Sequence, residues 1–196
     1  MERRPLRPSV LARIGGRERP PLHWFFVIKF LERCRTMKSI FEGKNILVLE
    51  RDDWEFVERK KGKEAVAVIA ETEDGELILT EQFRRPVNAR VIDFPAGLVE
   101  DDGPEATAKK ELEEETGYTC DSVELLAKGP TSPGITSEIV SIYRAHGVRR
   151  VGDGGGVDSE QITVHRVPLQ EVHAWLEKQN ALIDLKVGIY FGCGDR

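Results

Sequence analysis

Residues 97–118 read Gly97-Leu98-Val99-Glu100-Asp101-Asp102-Gly103-Pro104-Glu105-Ala106-Thr107-Ala108-Lys109-Lys110-Glu111-Leu112-Glu113-Glu114-Glu115-Thr116-Gly117-Tyr118, and this stretch decides the fold. It holds eight acids and two lysines. Pro104 suits the first helical position, Asp101 and Asp102 stand near the cap, and Gly117 suits the site just past a helix. At about 100° per residue, with Ala108 at zero, Leu112 falls near 40°, Glu115 near −20° and Glu111 near −60°. Two carboxylates therefore share the apolar stripe, while Lys109 and Lys110 point elsewhere and can pair with Glu105, Glu113 and Glu114. A merely solvated acidic face would lie opposite that stripe. Like charges at i, i+3 and i+4 repel, and burying them costs several kcal/mol unless a cation compensates. Hard oxygens on one helix edge suit Mg²⁺ or Mn²⁺.

Working outward, Asn45–Leu49 and Trp54–Val57 flank an Arg51-Asp52-Asp53 turn, which reads as a hairpin. Ala65–Ile69 and Glu76–Leu79 flank Glu73-Asp74-Gly75, a second hairpin with Asp-Gly chemistry. Val91–Phe94 is a short strand closed by Pro95. Further strands are expected at 122–127, 138–145 and 161–167, with closing helices at 168–178 and 182–191. Strands first, one central helix and helices last describe an α+β, mixed-sheet sandwich.

The charge is divided. Of 29 bases and 34 acids, residues 1–36 hold eight Arg, one Lys and three Glu, a net of +6, so residues 37–196 keep 20 bases against 31 acids, a net of −11. An acidic body argues against nucleic acid as a partner. The longest apolar run, Leu22–Ile28, stops at Lys29, far short of the roughly 20 residues of a membrane helix. Cys34, Cys120 and Cys193 are an odd, scattered set, which fits reduced thiols in a cytoplasmic protein. Residues 1–36, with Pro5, Pro8, Pro20, Pro21 and Gly15-Gly16, have no steady period. They are an extension before a natural start at Met37, or carry a short helix at 22–32 packed on the domain or a partner subunit; residues 37–196 then form one domain.

The helix resembles the box of the Nudix hydrolases, G-x5-E-x7-R-E-U-x-E-E-x-G-U. Lys110-Glu111-Leu112-Glu113-Glu114-Glu115-Thr116-Gly117-Tyr118 matches its second half, with Lys for Arg. The first half is one residue shorter, and Asp102 stands where the family has Glu. Glu81-Gln82-Phe83-Arg84-Arg85-Pro86 and Phe94-Pro95-Ala96-Gly97 are similar to the lead into the box of ADP-ribose pyrophosphatases. Pro133, 16 residues past Gly117, falls where that subgroup has a proline, and Asp158-Ser159-Glu160-Gln161-Ile162 is similar to the segment supplying its catalytic glutamate.

The resemblance implies an α/β/α sandwich with a mixed central sheet and an N-terminal antiparallel sheet. It also implies a homodimer, often with exchanged N-terminal strands. The implied reaction is Mg²⁺-dependent cleavage of a nucleotide sugar, of ADP-ribose type or alternatively GDP-mannose, to a nucleoside monophosphate and a sugar phosphate. Glu111 and Glu115 are then metal ligands, with Glu114 nearby and the Ala96 carbonyl as a further donor. Glu160 is the leading general base, which the run Gly152–Gly156, read as a flexible loop, would let swing over bound substrate; otherwise the run is a surface turn and Glu160 a solvated acid. For substrate, Arg84 would bind phosphate or form a structural ion pair, and Glu138 would contact substrate or metal or be an ordinary strand-edge acid. Trp54 and Phe56 would stack the base or be core or dimer contacts. A different class of function, a non-catalytic sensor of nucleotide sugars, is opposed by the presence of all three box glutamates.

Overall fold

The computed structural model describes residues 37–156 and 161–191. The first hairpin forms as read: β2 (Ile46–Arg51) and β3 (Trp54–Arg59) are antiparallel around Asp52 and Asp53, with φ of 53° and 63°. Two left-handed residues give a turn whose twist matches that of the strands, and aspartate tolerates that conformation. β1 (Met37–Glu42) pairs with β2 and completes a small antiparallel sheet.

The second hairpin splays. β4 (Glu64–Glu71) and β5 (Glu76–Arg84) pair only beside their turn, at Ala70↔Ile78 and Glu71↔Leu77. Beyond it, β4 lies between β7 (Ala96–Leu98, antiparallel) and β10 (Ile139–His146, parallel), with antiparallel β9 (Ser122–Pro130) outside. The short strands β8 (Tyr118–Thr119) and β11 (Arg149–Arg150) pair with each other, antiparallel. β5 takes antiparallel partners in β6 (Ala89–Asp93) and β12 (Thr163–Pro168), and β6 in turn pairs in parallel with β13 (Leu182–Ile183). One mixed sheet thus consists of two halves joined near a turn and parted at the other end.

Side-chain alternation sorts two cores onto opposite faces. Val66, Val68, Ala70 and Ile78 pack with Ala108 and Leu112 of α1 (Pro104–Thr116). Ala67, Ile69, Leu77 and Leu79 pack with Val172 of α2 (Val172–Leu176) and Val187 of α3 (Leu185–Tyr190). The result is the expected α+β layering, with the mixed sheet between helices.

Several details differ from the sequence reading. The cap of α1 is Gly103, at φ 92° and without a side-chain cap bond, rather than Asp101 or Asp102. The carbonyl of Gly103 accepts from Thr107 Oγ1 at 2.8 Å, and that hydroxyl accepts from Glu100 N at 3.1 Å. Lys109 reaches the Asp121 carbonyl, not a helix glutamate. Both closing helices are shorter than expected: a 3₁₀ turn at Leu169–Glu171 precedes α2, and Leu182–Ile183 is drawn into the sheet by β6. Tertiary pairing outweighs local helical preference there. Residues 1–36, the subject of the extension-or-helix reading, lie outside the described residues.

The run Gly152–Gly156 is not a loose hinge. Gly155 N donates to Glu115 O at 2.8 Å and Gly156 N to Glu114 O at 3.0 Å. Val151 N and Gly152 N both donate to Gly117 O. The last carbonyls of a helix lack partners of their own, and here a remote segment supplies them. Contact is tight enough to require glycine. Gly117 sits at φ 73°, and a Cβ on it would lie 2.4 Å from Gly152 O. Gly117→Ala should therefore cost at least about 1–2 kcal/mol, from the left-handed backbone alone. Urea unfolding measures this, and an unchanged midpoint would contradict the packing.

Candidate functional site

The site begins with Glu115. Sharing the stripe of Ala108 and Leu112 puts it into the interior, where it is 7% exposed. Its Oε2 accepts a hydrogen bond from Ala96 N at 3.0 Å. Ala96 is held in turn by the ladder of β7 to β4, at Ala67↔Ala96, and by Val68 N donating to Pro95 O at 2.8 Å. Glu111, one turn earlier, lies over Gly97: a Cβ there would stand 1.9 Å from Glu111 Oε1. Gly97 is thus glycine because a carboxylate occupies the space a side chain would fill. Glu114 projects outward, half exposed, with Lys110 Nζ at 4.0 Å. Lys110 is closer to Glu100 Oε2, at 2.5 Å, and that hydrogen bond raises the lysine above its usual range.

Glu111, Glu115, Ala96 and Gly97 line a cleft of about 1670 Å³, located where β4 and β5 diverge. Arg84, at the end of β5, lines it too, as do Arg59 and Lys61. Glu138 reaches the cleft while accepting from Arg59 Nε at 2.8 Å. Trp54 and Phe56 are not among the lining residues. Trp54 is 62% exposed and donates Nε1–H to Gly134 O at 3.1 Å. Phe56 faces Leu49 across the strand pair and lies 5.4 Å from the Arg51 guanidinium. Glu160 lies outside the described residues. Of the expected residues, then, the fold gathers Glu111, Glu115, Ala96, Arg84 and Glu138 around one cleft.

Sequence reasoning missed a second ionic group in the same wall. Lys186 Nζ lies 2.9 Å from Asp93 Oδ2 and 2.7 Å from Asp184 Oδ1, and all three residues line the cleft. Asp93 is 8% exposed. Burial pushes its carboxyl up, against the pull of Lys186. Burial would lower Lys186, yet the two aspartates outweigh it and hold the ammonium above its usual range. The only sequence signal was Asp184-x-Lys186 at a helix start, and nothing in it points to Asp93, 91 residues earlier.

The donor set fits a divalent cation. Two carboxylates and a backbone carbonyl are hard oxygen ligands, and the absent Cβ of Gly97 leaves room for Glu111 among them. Among the described residues no three Asp, Glu, His or Cys side chains converge into a full shell. Mg²⁺ is commonly held by one or two carboxylates, its other positions going to water and substrate phosphate.

Comparison with known proteins bears on family and fold. The NUDIX domain family matches residues 61–186. The chain is 33% identical over 169 residues to the methanol dehydrogenase activator of Bacillus methanolicus, covering 82% of this chain and 90% of that protein. It is 33% identical to the ADP-ribose pyrophosphatase of Bacillus subtilis, with 76% and 84% covered, and 33% identical to the GDP-mannose pyrophosphatase of Cronobacter sakazakii, with 76% and 85% covered. A crystal structure of an ADP compounds hydrolase shares the fold, with a TM-score of 0.58 at 21% identity over 74% of this chain and 82% of that one.

Gly97→Ala tests the site without touching a carboxylate. The added methyl must displace Glu111, and metal affinity or turnover should fall roughly 10–100-fold, as for other losses of ligand support. A Mg²⁺ titration of activity reads it; unchanged metal dependence would show that Glu111 needs no such seat.

Proposed function

The chain belongs to the Nudix hydrolases, and from that footing we propose that it cleaves the pyrophosphate bond of nucleoside diphosphate sugars of ADP-ribose type, giving a nucleoside monophosphate and a sugar phosphate. The observation that carries this is the buried Glu115, fastened to Ala96 beside a cleft that also presents Arg84. The names of the two pyrophosphatase relatives support an ADP-ribose or GDP-mannose substrate.

A divalent ion, Mg²⁺ or Mn²⁺, held by Glu111, Glu115 and the Ala96 carbonyl, with Glu114 nearby on the exposed side of the helix and able to join them only by turning from its outward position, would neutralise the pyrophosphate and help activate a water. Arg84 donates a planar pair of N–H groups to phosphate oxygens. Glu160 accepts the proton of the attacking water, an assignment resting on the family resemblance. Glu138 is tied to Arg59 in the free protein, so its use by substrate requires that ion pair to be shared or exchanged. For Trp54 we favour positioning over stacking. Its indole holds Gly134, and Val57 N donates to Ile135 O at 2.8 Å, so β3 supports the segment that delivers Glu138.

We extend the proposal to a cytoplasmic homodimer. Met37, Ile40 and Phe41 of β1 are exposed apolar groups on a strand at a sheet edge, a surface that natural proteins usually cover. The odd, scattered set Cys34, Cys120 and Cys193 is what supports the cytoplasmic part of the proposal. Among the described residues no helix is long and apolar enough to cross a membrane.

The name of the Bacillus methanolicus relative favours a second reading, a sensor that binds a nucleotide sugar to regulate another protein. One assay separates the two. With Mg²⁺, ADP-ribose or GDP-mannose should yield a nucleoside monophosphate and a sugar phosphate by phosphorus NMR, and EDTA should stop the reaction. Cleavage of free nucleoside triphosphates alone would overturn the substrate class, and tight binding without turnover would favour the sensor.

A further inference from the structure

Asp184 is delivered to the cleft by strand pairing. β13 runs parallel to β6, and Asp184 N donates to Ile92 O at 2.9 Å, which sets it beside Asp93 at the end of that strand. Its Oδ1 carries two duties. It accepts from Lys186 N at 2.9 Å, capping α3, and from Lys186 Nζ at 2.7 Å. Asp93 is also committed, with Oδ1 taking Phe94 N at 2.8 Å and Oδ2 taking Lys186 Nζ at 2.9 Å.

The remaining valences are few and specific. An ammonium has three protons, and two of those on Lys186 go to carboxylates. Among the described residues nothing hydrogen-bonds Asp184 Oδ2. One donor and one acceptor are therefore left on groups in direct contact. Both residues line the large cleft and a smaller cavity of about 590 Å³ beside it. Asp93, Asp184 and Lys186 together carry one net negative charge, which disfavours a phosphate here and favours a neutral polar group.

The geometry points to Asp184 and Lys186 as a subsite for a vicinal diol of the substrate. One hydroxyl donates to Asp184 Oδ2 and its neighbour accepts from Lys186 Nζ. Nζ lies 2.7 Å from Oδ1 of the same carboxylate, so Oδ2 and the ammonium are immediate neighbours on the cleft wall. Asp93 anchors the lysine in the wall of the cleft. The inference rests on the nucleotide-sugar reading of that cleft. Such a substrate carries diols on both arms, the nucleoside ribose and the distal sugar, and the chemistry of recognition is the same for each.

Asp184→Asn tests it, because asparagine remains a good cap acceptor while replacing the open oxygen with a donor. Wild type and variant are compared on ADP-ribose, its 2′,3′-dideoxyadenosine counterpart, and ADP capped with a methyl ester on the β-phosphate. Removing the recognised diol should raise the wild-type KM about 10–100-fold, the worth of a hydrogen bond to a charged group. Asp184→Asn should raise KM for ADP-ribose similarly with kcat little changed, and should then be indifferent to that same deletion. Such non-additivity marks direct contact, and the substrate showing it identifies the arm. Additive effects on both analogues, or a variant indistinguishable from wild type, would overturn the subsite. Should the variant not fold, the wild-type series decides: KM unmoved by both deletions overturns it. Wild type inactive on all three substrates would instead overturn the hydrolase reading, and the subsite with it.

Discussion

The hydrogen bond from Ala96 N to Glu115 Oε2 ties the chemistry to the fold. It places a carboxylate inside the apolar stripe of a helix, where a charge is costly without a partner. Everything around it accommodates that choice. β7 exists to hold Ala96 against β4, Gly97 is stripped of a side chain so that Glu111 can approach, and the two halves of the sheet part to leave a cleft beside them. A helix serving only as a cover would place these glutamates on its outer face.

The far end of the same helix is secured differently. Its last carbonyls are taken by backbone N–H groups of Val151–Gly156, and glycine at 117 and 154 lets the two segments meet at distances no Cβ allows. The segment leading toward Glu160 is thereby anchored to the helix that carries Glu114 and Glu115.

Much of this was legible in the sequence because it is governed by period and turn chemistry. The helical wheel put Glu115 beside Leu112, and it is buried there; Pro104 and Gly117 mark the observed helix limits; Asp52-Asp53 and Gly75 mark real turns. What stayed hidden depends on contacts between distant segments. Three-residue β7 has too few positions to show alternation. Leu182–Ile183 becomes a strand only because β6 offers an edge. The grip of Gly155 and Gly156 on the helix, the Arg59–Glu138 pair and the Asp93–Lys186–Asp184 group each join residues that no local pattern relates. Trp54 illustrates the limit of residue type: nothing local foretells that its indole N–H holds the carbonyl of Gly134, 80 residues away.

The central claim is that Glu115 is buried for a cation and not for the fold. Thermal unfolding of wild type and Glu115→Gln, each in EDTA and in excess Mn²⁺, tests it directly. Glutamine can still accept from Ala96 N, so the variant should fold in EDTA. Wild type should gain stability with Mn²⁺ through binding to the native state, and the variant should lose most of that gain. A variant destabilised in EDTA that keeps the full Mn²⁺ response would contradict the account.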